Sequence, residues 1–293
     1  MNAKLVPLRP SGAKRPLFCF PGAGGEETMF HDFAECMSEG QPVYVVDMKP
    51  FYKERSNFLI DELAVQCLDL LLKKQGSGPY YLCGYSFGGF VAYEVAVLLL
   101  QRGEEVGVLA LFDAANPAFR SNLSASESAQ FQATYVSSRL KKYGRNLLTG
   151  NFKAFAIDAV AFISPRIGPL WSLISSLFDL IRHPLPKILQ NNDPIIVAAC
   201  RVYRPSPYTR RLVIFRSRGR GPEFDRDPTL GWDTCATGGI DVHFVPGNHV
   251  NMMGVPNVLG LVEMLKPYLD GGQRRTADSV RGLQPIHATS SES

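Results

Sequence analysis

The chain has 293 residues, 45% of them hydrophobic and 20% charged, and a formal net charge of +4. That length and composition suit one large α/β domain or two small ones in an ordinary globular protein. The charge is too small to argue for a nucleic-acid partner, and no nucleic-acid motif is present. The six cysteines are far apart, include no C-x-x-C pair and sit largely in apolar runs, so reduced buried thiols are expected, with no metal site. "MNAKLVPLRPSGAKRPLF" has no apolar core of a secretory signal, and the apolar run at 161–181 is cut by Pro165, Arg166 and Pro169. A cytoplasmic protein without stable membrane insertion is expected.

"PLFCF" (16–20) reads as a buried strand opening into the glycine turn "PGAGG", and residues 26–39 as a helix. "PVYVVD" (42–47) is β-branched and predicts a second buried strand. The spacing of apolar residues predicts a helix over 58–74, with basic residues in its last turn to complement the dipole. "YYLC" (80–83) meets "GYSFGG" and then a long apolar helix carrying Glu94, and 105–117 holds a fourth strand ending at Asp113. This alternation calls for a parallel sheet with helices on both faces. From 121 to 203 the patterns are helical, which suggests a lid inserted over the strand ends. Strands resume at 210–216 and 240–246, followed by a last helix over 256–268. One domain over 1–271 is expected, and a disordered polar tail over 272–293.

G-x-S-x-G between a strand and a helix is the nucleophile elbow of α/β-hydrolases. The sharp turn exposes one hydroxyl, so its flanking residues must be small, and Ser86 is the candidate nucleophile. Serine needs a base. Of the five histidines, His31 precedes the serine, His183 lies in the lid region, His243 in a strand and His287 in the tail. His249 follows the last strand on a glycine loop and is the candidate base. Asp113, at the end of the next strand, is favoured as the acid over Asp225 and Asp227. Backbone N–H groups of Phe87 and of Ala23, or its neighbours Gly22 and Gly24, are candidate oxyanion donors.

The segments "LVPLRPSGAKRPLFCFPGAGG", "YYLCGYSFGGFVAYEVAVLLLQRGEEV", "LFDAANP", "RVYRPSPYTRRLVIFRS", "LGW" and "VPGNHVNMM" together resemble the thioesterases of polyketide synthases and nonribosomal peptide synthetases. The resemblance implies an α/β-hydrolase fold, a mostly parallel sheet flanked by helices with a helical lid insertion. It implies an acyl chain delivered on the phosphopantetheine of a carrier protein, with no bound cofactor. Ser86 would take the chain, His249 would act as base and then acid, Asp113 would orient the imidazole, and Ala23 and Phe87 would hold the oxyanion. Product-releasing members resemble this chain at Asp113, whereas separate proofreading members place the acid after the later strand. The chain opens almost at once on the family's first motif, so a free-standing form is expected, serving product release in trans or clearance of stalled chains. A lipase or esterase on oxygen esters is the alternative enzyme. Tyr85, Phe155, Phe162 and Trp171 are candidate substrate contacts, the last three along an apolar lid channel. The arginines Arg201, Arg204, Arg210, Arg211, Arg216, Arg218 and Arg220 form either a solvated surface or a dock for an acidic carrier.

Overall fold

A computed structural model describes residues 2–24, 27–52, 55, 57–119, 125–126, 129–130, 133–134, 137 and 194–281. The expected lid, apart from its last residues, therefore lies largely outside the described residues. So do Phe155, Phe162 and Trp171.

Seven strands form one sheet: β1 (Lys4–Arg9), β2 (Leu17–Phe20), β3 (Val43–Asp47), β4 (Tyr80–Tyr85), β5 (Val106–Phe112), β6 (Leu212–Ser217) and β7 (Ile240–Val245). Their order is β1-β3-β2-β4-β5-β6-β7, parallel throughout except for β1, which runs antiparallel to β3 at the edge. Helices α1 (His31–Cys36), α2 (Lys49–Tyr52), α3 (Ile60–Lys74), α4 (Phe87–Gln101), α5 (Pro194–Val202) and α6 (Asn257–Arg281) flank it.

Because side chains alternate along a strand, each central strand feeds two cores. Leu17 and Cys19 join Val43, Val45, Cys83 and Phe215 on the face covered by α1 and α6. Phe18 and Phe20 join Val46, Leu82, Leu111 and Ile214 on the face covered by α3, α4 and α5. The parallel strands β2 to β6 are largely buried on both faces, which explains the apolar runs from which they were predicted. No helix among the described residues is long and apolar enough to cross a membrane.

Two expectations are corrected, and one strand is added. Strand β1 was not foreseen, since "KLVPLR" shows its strand character only through pairing with β3. The single helix expected over 26–39 is a short 3-10 turn, Glu27–Phe30, followed by α1. The last helix runs to Arg281, so residues 272–281 are helical rather than an unordered tail. Once a helix is nucleated by its packed apolar face, adding good helix formers such as Gln, Arg and Ala needs no further core contact.

Candidate active site

Strand β4 delivers the chain to Ser86, and α4 leaves from it. Ser86 has φ 52° and ψ −119°, a conformation an L residue adopts only when its surroundings hold it there. Its N–H bonds the carbonyl of Phe112 at 3.0 Å, and its carbonyl accepts from Gly89 N–H at 3.0 Å, so both neighbours fix the turn. The flanking glycines are required by close approach. A Cβ on Gly84 would lie 2.4 Å from the Gly88 carbonyl oxygen, and one on Gly88 2.1 Å from that of Phe20.

The hydroxyl of Ser86 lies 3.1 Å from Nε2 of His249, and Nδ1 of His249 lies 3.0 Å from Oδ2 of Asp113. An ionised Asp113 accepts the proton on Nδ1, which leaves Nε2 free to accept from Ser86. Asp113 itself sits at φ 51° directly after β5, and its N–H bonds the Phe215 carbonyl at 2.8 Å. It is buried, and its carboxylate also accepts from Ser217 N–H at 3.1 Å and Ser217 Oγ at 2.8 Å. Arg220 Nη1 lies 2.9 Å from its Oδ1. Burial pushes the Asp113 pKa up. The hydrogen bond from His249, the charges of Arg220 and His249 and the Ser217 hydroxyl outweigh that, bringing it down to about 2.

The loop after Asp113 is braced from β6 onward. Trp232 Nε1 donates to the Ala114 carbonyl at 2.7 Å, and Asn116 Nδ2 to that of Gly231 at 2.9 Å. The rival acids are engaged elsewhere: Asp225 pairs with Arg216, while Asp227 accepts from Thr229 and Gly231 within its own loop. The structure thus brings together Ser86, His249 and Asp113, and not the later pair.

Phe87 is the first residue of α4, where backbone N–H groups have no partner inside the helix, and its ring packs on Tyr52, Phe58 and Phe90. The loop after β2 lies against the nucleophile: a Cβ on Gly22 would stand 3.4 Å from Cβ of Ser86. Ala23, next along, is exposed on that loop.

Tyr85 stands apart from the substrate role expected of it. It is buried, its ring stacks on that of His249 at 5.2 Å, and its hydroxyl donates to the His249 carbonyl. Burial and the Asp113 charge push its pKa up, keeping it a donor. Sequence reasoning also passed over Ser217 and Trp232, and it counted Arg220 with a surface cluster. Three of those arginines are engaged: Arg211 pairs with Asp241, Arg216 with Asp225 and Arg220 with Asp113. Arg201, Arg204, Arg210 and Arg218 stay exposed.

Residues 15–153 match the family model of the thioesterase domain. That match covers a little under half of the chain. It is similar to chondramide synthase of Chondromyces crocatus, 27% identical over 296 residues that cover 95% of this chain and 7% of that protein. It is likewise similar to the dimodular nonribosomal peptide synthase of Bacillus subtilis (strain 168), 27% identical over 238 residues covering 81% of this chain and 10% of the relative. The chain therefore spans a small fraction of these curated relatives. Among solved structures, the NocB thioesterase domain in covalent complex with a fluorophosphonate nocardicin G analog matches with a TM-score of 0.58 at 19% identity, covering 92% of this chain and 100% of the other. The Vlm2 thioesterase domain with a bound dodecadepsipeptide matches with a TM-score of 0.57 at 20% identity, covering 90% and 97%. These likenesses, with the seven-stranded sheet, establish the α/β-hydrolase fold.

Proposed function

We propose that this thioesterase works through an acyl-Ser86 intermediate, taking an acyl, polyketide or peptidyl chain from the phosphopantetheine thiol of a carrier protein in secondary metabolism. The observation that carries this reading is the unbroken path from Ser86 Oγ through the His249 imidazole to Asp113, at 3.1 Å and 3.0 Å. Attack forms the bond from Oγ to the thioester carbonyl carbon while the hydroxyl proton passes to Nε2. The carbonyl oxygen gains the negative charge, with the N–H groups of Phe87 and Ala23 as its donors. Collapse breaks the C–S bond, and His249 returns its proton to the leaving sulfur. Water, or a nucleophile on the chain itself, then repeats the sequence in reverse and frees Ser86 as product leaves. The acyl group and carrier are supplied from outside, so the chain needs no resident cofactor for this chemistry.

The test is intact-protein mass spectrometry after mixing with an acyl thioester of a carrier protein, compared with an oxygen ester of the same acyl group. A transient acyl adduct on Ser86 and faster turnover of the thioester support the reading. Equal or faster turnover of the oxygen ester makes the protein an esterase, and an adduct on any other residue removes Ser86. Cleavage of short, stalled chains in preference to full-length ones would assign it to proofreading.

A further inference from the structure

Asp113 is gripped by a residue that a serine, histidine and aspartate relay does not require. Arg220 Nη1 donates to the backbone carbonyl of Asp113 at 2.6 Å and lies 2.9 Å from Oδ1 of the same residue. One nitrogen thus holds main chain and side chain of the acid together. We propose that Arg220 is a positioning residue of the reaction, clamping Asp113 at its carbonyl and carboxylate so that Oδ2 is presented to Nδ1 of His249. This rests on the reading of Ser86, His249 and Asp113 as the reacting relay.

The clamp is built to be rigid. Asp113 occupies the left-handed region at φ 51°, and its N–H is tied there to the Phe215 carbonyl. The Arg220 side chain is 11% exposed, and its guanidinium lies 4.3 Å over the ring of Phe224, which stacks on Phe119. Its backbone N–H bonds the Ser217 carbonyl at 3.2 Å, and Ser217 gives both its N–H and its hydroxyl to the same carboxylate. Ser217 to Arg220, at the end of β6, therefore forms one receptor that leaves the His249 side of Oδ2 as the open direction. A planar guanidinium suits this two-point grip, whereas an ammonium acts as a point charge.

The experiment measures the rate of Ser86 labelling by an alkyl fluorophosphonate against reagent concentration, which separates the maximal rate from half-saturation, in the parent, Arg220→Met and Arg220→Lys, with thermal melts alongside. Arg220→Met is expected to label about 10–100-fold more slowly at saturation, the loss of one charge-assisted hydrogen bond, with half-saturation unchanged. Arg220→Lys is expected to recover part of that rate. A folded Arg220→Met with the parent's maximal rate overturns the proposal and leaves the relay standing. A parent that does not label at Ser86 overturns both. Should Arg220→Met not fold, Arg220→Lys decides: a slowed maximal rate with unmoved half-saturation supports the clamp, and the parent's rate overturns it.

Discussion

Each residue of the relay is held by contacts that do no chemistry, and variants separate the two kinds of contribution. In the proposed relay Asp113 fixes the tautomer of His249, its Oδ2 lying 3.0 Å from Nδ1. Asp113→Asn offers an amide that can donate there instead, which turns the imidazole to the wrong tautomer. Turnover of an acyl thioester should fall by about 10³–10⁴-fold, with KM nearly unchanged, in steady-state kinetics. A loss below tenfold would count against Asp113 as the acid. Tyr85 acts at one remove, through the His249 carbonyl and the stacked ring. Tyr85→Phe keeps the stack and loses the donor, so kcat should drop by about 3–10-fold, one neutral hydrogen bond's worth. Tyr85→Ala loses both and should drop further. If Tyr85 instead lined the acyl site, KM would carry the change in both variants.

The elbow is a packing arrangement between β2, β4 and α4, and glycine is what permits it. A Cβ at Gly88 would meet the main-chain oxygens of Phe20 and Pro21 at 2.1 Å and 2.4 Å, and backbone cannot step aside as a side chain can. Gly88→Ala should therefore destabilise the fold by about 1–3 kcal/mol or more, read in urea unfolding, with activity lost alongside. Gly76, with nothing within 4 Å of its would-be Cβ, is the control: Gly76→Ala should change stability by no more than about 0.5 kcal/mol. A Gly88→Ala protein as stable as the Gly76→Ala one would show that β2 and α4 do not meet so closely. Elements with their own local signal were the ones legible in the sequence. The buried runs of β2 to β6 announce themselves as apolar stretches, and the elbow as a glycine-flanked serine between strand and helix. Strand β1 carries no such signal, because its half-exposed residues become a strand only in register with β3. The end of α6 was misread for a related reason: the closely spaced apolar residues end at Leu269, but helix can continue past them.

At the scale of the whole molecule, the site is a convergence of strand ends, and contacts over long sequence separations bring Asp113 beside His249. Ser86 and His249 could be chosen from chain order alone. The placing of Asp113 depends on partners far along the chain, Ser217, Arg220 and His249, whereas Asp225 and Asp227 are taken by near neighbours. No window of sequence shows that β6 ends in a receptor for Asp113. That receptor also links the site to acid stability. The Asp113 pKa, about 2 in the folded protein, lies below the ordinary value of 3.8. A carboxyl so depressed contributes stability that is complete above the ordinary value and is lost as pH falls through the folded one. The difference corresponds to about 2 kcal/mol, held by a group with no exposed side chain. Between about pH 5 and pH 2 the parent should therefore lose about 2 kcal/mol more unfolding free energy than Asp113→Asn, whose amide does not titrate. Urea midpoints of both proteins across that range measure the difference. Parallel curves would mean that Asp113 titrates alike in the folded and unfolded chain, and that its four-sided grip does not hold in solution.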